Sequence, residues 1–546
     1  MPQIGTRMKE GTEKIISIYL ILIAMLITLP YFLTRKTLPG YIIGGDTLVH
    51  AAIARGIYLG RNPFLDQTYN VYPSWYPFLY HLIVAVTSKV FQISIEGAML
   101  LLQATLAILG CIVFFYVAKN LWGSTAGIMA MAFSLMFLPF HRYPNPKELI
   151  PIFGALFILY FVKERWVLSG IILGLGLWSH YASMFPLFVL PLTVYIFTRR
   201  KEVITPLLIS TIVFLPFAIN IISHADHIIP KVEDIYAFWK TDTLEKKLLS
   251  LLPPIYLVPF LLLSLYKFYK RRDYEGTVLF LSVVTIWGLR LLPESLKPFG
   301  IQIWSTRFTV PLPTIYLLLS AYGISEIKIT SKDIKTIFLG ILLFLIPIAS
   351  ALNFWEAIKR DPFIWVSEFE LKEYFPEEHF IEVSEWIKAN TERDNLIATS
   401  EEAGMMINAL TGRPIMATLY GHGNTFLDNE IRRKDLELLF TADCKEKAKI
   451  ISKYKIKYIV LDTFVYKRWE VKDMSCIAEP VYKVENVTIL RVNLNITYTN
   501  KGEIRMNKKL FWLLLIAFVV NFSVIYGRKN PCWRKWRRYD NSHGHD

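Results

Sequence analysis

Long apolar runs separated by short charged loops constrain the fold of this chain more than any other feature. A helix needs about 20 mostly apolar residues to cross the hydrocarbon core of a bilayer. The chain has 546 residues, 53% of them hydrophobic, which is too apolar for a soluble protein of this length. We therefore predict a polytopic α-helical membrane protein with about 12 transmembrane helices, at 15–34, 97–118, 124–140, 149–162, 167–180, 183–198, 203–223, 250–267, 276–292, 307–325, 336–354 and 509–527.

The basic loops predict the orientation of these spans. The net charge is +15, and much of the excess lies in short loops such as "TRRKEV" and "YKFYKRRDYE". The positive-inside rule places these loops and both termini in the cytoplasm. In this position the charge indicates topology and not nucleic-acid binding. We expect an integral plasma-membrane protein surrounded by membrane lipids.

One apolar segment is ambiguous. Residues 76–91 are apolar, but the run is short and contains His81 and Lys89. A span here would reverse every later loop and place the basic clusters outside. We predict an interfacial helix within a first external loop at 35–96, with a thirteenth span as the alternative.

Residues 355–508 have a different composition, in which charges of both signs alternate. "PEEHFIEVSEWIKANT" and "CKEKAKIISKYK" have helical spacing, whereas "NLIATS" and "KYIVLDTF" indicate buried strands. We predict a small external α/β domain, which carries two N-glycosylation patterns at Asn486 and Asn495. Cys444 and Cys476 both fall in it, and the sequence leaves open whether they pair. The expected domains are a bundle at 1–354, this region at 355–508, and a last helix with a basic tail at 509–546.

The first external loop contains the strongest catalytic candidate. Asp46 lies between two glycines and the amphipathic segment "LVHAAIARGIYL". His50 follows four residues later, on the same face of a helix. A carboxylate held at the lipid–water boundary is suited to act as a general base. The alternative is a solvated loop acid.

A second external loop, "HRYPNPKELI", adds one acid and several cations. Glu148 begins the next helix, where an acid complements the helix dipole, and this alone is a sufficient structural explanation. Arg142 and Lys147 give the loop a positive character suited to phosphate. The sequence contains none of the common nucleotide-binding or zinc-binding motifs.

Two further outer loops contribute polar residues. "WSHYASMFP" holds His180 and Tyr181, although a tight hairpin would explain the segment as well. Arg307 stands at the mouth of an apolar helix. Its guanidinium fork suits a phosphate, or it extends to lipid headgroups.

Together these segments resemble the GT-C glycosyltransferases, and most closely the catalytic subunit of oligosaccharyltransferase in its archaeal form. "GGDTLVHAAIARGIYLGRNPF" resembles the family's first loop with its catalytic acid, and "HRYPNPKELI" resembles the second acidic loop. "LGLWSHYASMFPLFVLPLTVYIFTRRKEV" resembles a family hairpin. "RFTVPLPTIYLLLSAYGISE" resembles the helix whose leading arginine contacts the donor phosphate. The family's "WWDYG" motif is missing, and "IATSEEAGMMINALTGRPI" stands in its place.

This resemblance implies that the protein transfers a sugar from a polyprenyl (dolichyl) phosphate to a lipid-linked glycan, a lipid or a protein. It implies Asp46 as the catalytic base, Glu148 as an auxiliary acid that orients the acceptor or a metal, and Arg307 as the phosphate ligand. The charge of the second loop adds Arg142 and Lys147 as candidate phosphate ligands. His50, His180 and Tyr181 would support them, and a divalent metal (Mg²⁺ or Mn²⁺) at the two acids is left open. The alternatives are protein glycosylation of the oligosaccharyltransferase type, a lipid-glycan transporter or flippase, and a non-catalytic scaffold.

Overall fold

The computed structural model is mostly helical and carries a small sheet. It contains one compact unit, Met1–Ile496, and a second unit, Thr497–Asp546. The second unit, with the predicted span at 509–527, lies outside the described residues. The structure describes residues 10–33, 45–71, 73–136, 143–224, 243–271, 273–292, 295–296, 301–302, 305–325, 332–360, 377–419, 422–424 and 426–493.

The described part of residues 1–360 is mainly helical. The helices before residue 225 are α1 Glu10–Leu33, α2 Asp46–Tyr58, α3 Leu79–Phe91, α4 Ile95–Trp122, α5 Ser124–Leu135, α6 Ile150–Val162, α7 Trp166–Thr198 and α8 Thr205–Ile222. Those that follow are α9 Leu244–Leu249, α10 Val258–Arg271, α11 Tyr274–Arg290, α12 Leu312–Ser325 and α13 Lys332–Arg360. Two-residue strands, β1 Ser295–Leu296 and β2 Ile301–Gln302, pair between α11 and α12.

Among the described residues, four helices are long and apolar enough to cross a membrane by length and composition. They are Gly11–Pro30, Ile95–Trp122, Trp166–Thr198 and Lys201–Ile222. The larger number of spans expected from the sequence stays a prediction. Helix α3 has 13 residues and is about 20 Å long, which is short of the roughly 30 Å hydrocarbon core.

Helix α7 is broken in its middle. His180 has extended backbone angles, φ −157° and ψ 88°. Gly176 packs directly against the side chain of Met184, although residues eight apart in a straight helix lie about 12 Å apart. Helix α7 is therefore kinked at His180, where the sequence breaks the apolar run.

Small residues allow the neighbouring helix to approach closely. Gly170 and Gly174 face Ile209 and Val213 of α8, and an added Cβ at either glycine would lie 2.6 Å from those side chains. Only hydrogen fits in this space, as is common in tightly packed membrane helices. The first half of α7 thus runs alongside α8. This packing sets the position of the break at His180 relative to α8.

The described part of residues 355–508, called the polar region below, folds as an α/β layer, as its sequence pattern predicts. Its helices are α14 Glu377–Asn390, α15 Glu401–Thr411, α16 Asn429–Thr441, α17 Cys444–Tyr454 and α18 Thr463–Arg468. Its strands are β3 Leu396–Ala398, β4 Ile456–Leu461, β5 Ala478–Val484 and β6 Val487–Val492. They form one sheet in the order β3-β4-β6-β5. The first pair is parallel and the other two pairs are antiparallel.

Two sequence features of this region have defined positions in the structure. Cys444 and Cys476 form a disulfide, with their Cα atoms 6.1 Å apart, which settles the question that the sequence left open. Asn486 is exposed in the turn between β5 and β6. Asn495 lies outside the described residues.

The polar region is hydrogen-bonded to the segment between α2 and α3. Arg61, almost fully buried, donates to the carbonyls of Gln67, Arg393 and Gly412. The Ile415 N–H donates to the Thr68 carbonyl at 2.8 Å. These bonds connect segments that are far apart in sequence, so both parts belong to one compact unit.

Candidate functional site

Asp46 is the first residue of α2, directly after Gly45. A carboxylate at this position is stabilised by the dipole of the helix. The rest of the helix is largely buried, including Thr47 and Leu48, whereas the Asp46 side chain is 58% exposed. The packed helix therefore holds an accessible carboxylate at its end.

The second loop is fixed by its own hydrogen bonds. The Asn145 side chain accepts from the Lys147 N–H at 2.7 Å, and Pro146 begins a short 3₁₀ turn, Pro146–Leu149. The Ser179 hydroxyl donates to the Pro146 carbonyl at 2.8 Å, which ties the loop to the break in α7. These bonds hold the backbone that carries Lys147.

Lys147 is the electrostatic centre of the site. Its charge interacts with those of Arg307, Asp46 and Glu148. Burial, reinforced by the positive charge of Arg307, lowers the pKa of Lys147 to about 8. Arg307 lies in a 3₁₀ turn, Ser305–Thr309, just before α12. The structure thus brings together charged residues that the sequence places in three separate loops.

A buried histidine pair lies behind this group. His50 Nδ1 and His81 Nε2 are 3.1 Å apart, and the two side chains are 4% and 0% exposed. Burial lowers the pKa of both imidazoles well below 6.5. The ring of Tyr76 packs edge-on against both histidines, at 5.2 and 5.7 Å between centroids. His50 is therefore occupied by a core contact and does not lie open beside Asp46.

His180 and Tyr181 have different surroundings. The Nδ1 atom of His180 accepts from the Ser183 N–H at 3.1 Å, so the imidazole caps the second half of α7. This bond places the proton of the neutral ring on Nε2. Tyr181 joins an aromatic group with Trp75, Phe214 and Phe217.

A cavity of about 520 Å³ opens next to these residues. Lys147, Glu148 and Asn145 form its polar wall, and Thr309 and Val310, which directly follow the Arg307 turn, are also in its lining. Most of the remaining wall is apolar and comes from α4, the 250–254 segment and α12. Asp46 and Arg307 do not line the cavity, but the charges of both act on Lys147, which does.

The structure adds His422, which sequence reasoning missed. Its Nδ1 lies 3.9 Å from Oδ1 of Asp46, and its side chain is 12% exposed. It comes from the polar region, in a short "GHGN" stretch without helical or strand periodicity. No sequence signal connects it to the first loop.

The described residues do not fit a metal site. Among them, no group of three or more histidine, cysteine, aspartate or glutamate side chains is placed to hold a metal ion. Lys147, a cation, interacts with both acids that would serve as ligands. We therefore derive no step through a metal. Arg142, predicted as a phosphate ligand, lies outside the described residues.

Comparison with known proteins supports the fold. No protein-family model and no curated protein matches the chain. ArnT from Cupriavidus metallidurans, solved bound to undecaprenyl phosphate, is similar over 90% of this chain and 100% of its own, with 10% identity and a TM-score of 0.51. The Archaeoglobus fulgidus oligosaccharyltransferase in the apo form is similar over 86% of this chain and 72% of its own, with 13% identity and a TM-score of 0.49. At this identity the likeness to ArnT shows a shared fold, so the chain has a GT-C-like fold, as the sequence predicts.

Proposed function

We propose that the protein is a membrane glycosyltransferase that transfers a sugar from a polyprenyl-phosphate-linked donor to an acceptor on the outer face of the membrane. The observation that carries the proposal is a cavity lined by Lys147 and Glu148 next to the Arg307 turn, with the charges of Asp46 and Arg307 acting on Lys147. A base beside two cations suits a reaction in which a hydroxyl loses a proton and a phosphate leaves.

In the proposed reaction, the acceptor oxygen attacks the anomeric carbon of the donor sugar. The new glycosidic bond forms while the bond from that carbon to the phosphate oxygen breaks, and the phosphate leaves with the electron pair. Asp46 takes the acceptor proton. Lys147 and Arg307 stabilise the charge that the phosphate gains. Glu148 holds Lys147 in place through their opposite charges.

The cavity supports a lipid-linked donor. Its largely apolar wall suits the first isoprenoid units, and Lys147 at its polar side suits the phosphate. A volume of about 520 Å³ is in the range of small-molecule sites. ArnT, which shares the fold, was solved with a lipid of this chemical class. The dolichyl form of the donor and a lipid-linked glycan, lipid or protein acceptor are the finer parts of the proposal.

The test is transfer by purified protein supplied with polyprenyl-phosphate sugars and a membrane glycolipid fraction. We expect Asp46→Asn to lower transfer by about 10²–10⁴-fold, because the amide cannot take a proton. Glu437→Gln, at an exposed acid of α16, is the control and should transfer at the wild-type rate. Equal transfer by Asp46→Asn and wild type would disprove the proposal.

A further inference from the structure

His422 brings the polar region into contact with the proposed base. Its Nδ1 is 3.9 Å from Oδ1 of Asp46. A shortening of about 1 Å would make this contact a hydrogen bond. Catalytic hydrogen bonds are often long before substrate binds and tighten in the reactive complex. The distance thus suits a contact that forms fully during the reaction.

The chain around His422 is fixed on both sides. The His422 N–H donates to the Leu419 carbonyl at 3.3 Å. Two residues later, the Asn424 amide donates to the Asp66 carboxylate and to the Pro73 carbonyl, both at 2.8 Å. These acceptors belong to the first external loop, which also carries Asp46. The segment that carries the imidazole is therefore hydrogen-bonded to the loop that carries the carboxylate.

Phe426 and Thr418 extend this attachment. The ring of Phe426 packs edge-on against Trp75, with 5.9 Å between centroids. The Thr418 hydroxyl is 2.7 Å from the Tyr69 hydroxyl. Thr418, Asn424 and Phe426 thus contact the first loop on both sides of His422 in sequence.

His50 cannot take this role. It lies one turn after Asp46, but its Nδ1 is directed at His81 and it is buried. His180 uses its Nδ1 to cap the second half of α7. Of the histidines described near the site, His422 is the one with a direct contact to Asp46.

We propose that His422 is a positioning residue for Asp46. Its Nδ1–H donates to one carboxylate oxygen and leaves the other oxygen for the acceptor hydroxyl. The inference rests on the proposed function, in which Asp46 is the base. It makes the polar region part of the catalytic site, because this region supplies a group that acts on the base.

The first test compares three substitutions at position 422. Asparagine places an N–H near the position of Nδ1, glutamine places it near Nε2, and alanine removes it. We expect His422→Ala and His422→Gln to lower kcat by about 10–100-fold, with the donor KM changed less than about twofold, because a misplaced catalytic group costs this much. His422→Asn should stay within about threefold of wild type. Lys449→Ala, on the exposed surface of α17, is the control.

The second test is a double-mutant cycle with Asp46→Asn. If His422 acts through Asp46, His422→Ala should not lower the residual transfer of Asp46→Asn any further. Equal kcat for the asparagine and glutamine variants, or the same loss in both backgrounds, would overturn the inference. An active His422→Ala with an inactive Asp46→Asn would refute the inference alone. An active Asp46→Asn would refute the proposed function.

Discussion

Lys147 is the residue whose charge state controls the proposed donor site. Burial and Arg307 lower the pKa of Lys147 to about 8, while Asp46 and Glu148 oppose the shift. The side chain is therefore mostly charged at neutral pH and loses its proton as the pH rises through about 8. Only the charged form attracts a phosphate, so alkaline pH should weaken donor binding.

We predict that kcat/KM for the donor falls as the pH rises through about 8. Lys147→Arg should move this fall to higher pH, because a guanidinium keeps its proton up to about pH 12. The measurement is the pH dependence of kcat/KM between about pH 6.5 and 9.5. Lys163→Arg, at an exposed lysine after α6, should leave the profile unchanged. The same alkaline limb in Lys147→Arg and wild type would contradict this assignment.

Single residues differ in how far the sequence could predict them. Asp46, Lys147 and Arg307 could be named from the sequence because each lies in a loop between apolar runs on one predicted face, and their roles stay predictions. The inward direction of His50 was not, because helical spacing gives a face but does not show what packs against it. His422 was not predictable, since its contact with Asp46 depends on the docking of a distant segment.

At the scale of elements, helices α2 and α3 are joined by the buried pair His50 and His81. In the folded protein, burial lowers the pKa of both imidazoles well below 6.5, so they remain neutral there. The unfolded chain takes up protons as the pH falls below about 6.5. The stability contributed by the pair is thus complete above about pH 6.5 and is lost as the pH falls toward the folded pKa values.

We predict that the wild-type protein loses up to about 1.4 kcal/mol of stability per pH unit for each imidazole below about pH 6.5. His81→Gln removes one titrating group and should flatten this dependence. The measurement is the unfolding temperature in detergent between about pH 7.5 and pH 5. His224→Gln, at the end of α8 and away from the pair, should keep the wild-type slope. An unchanged slope in His81→Gln would count against the pair.

The sequence pattern predicted whether most elements are helices or strands. It predicted their boundaries less accurately. The apolar runs at 167–180 and 183–198 were predicted as two spans, and the structure has one helix, α7, broken at His180. The break was visible as a polar interruption. The capping of the second half by an imidazole was not visible, because a histidine cap lacks the sequence signature that serine and aspartate caps have.

At the scale of the whole molecule, composition and contacts divide the chain differently. Composition separates residues 355–508 from the bundle, and this boundary stays a prediction. Contacts place Met1–Ile496 in one compact unit. The difference arises because composition reports the solvent around each segment, whereas docking depends on buried polar groups. Arg61 is such a group, and the sequence does not show that it is buried.

The last prediction tests whether the two parts act as one body. Arg61 bonds the carbonyls of Gln67, Arg393 and Gly412 and lies 3.2 Å from Asp394. Burial lowers the pKa of Arg61 to about 10, so it remains charged at neutral pH. Arg61→Met keeps the length of the side chain but leaves buried carbonyls without donors, at a cost of about 1–3 kcal/mol for each.

We expect Arg61→Met to lower the unfolding temperature and to speed limited proteolysis between the bundle and the polar region. It should also reduce transfer below the unfolding temperature, because the polar region carries His422. Arg491→Met, which breaks an exposed pair with Glu479, is the control and should change neither. If Arg61→Met loses protease resistance but keeps full transfer, the two parts are docked through Arg61 but the site does not depend on that docking. Unchanged proteolysis would instead show that Arg61 does not hold them together.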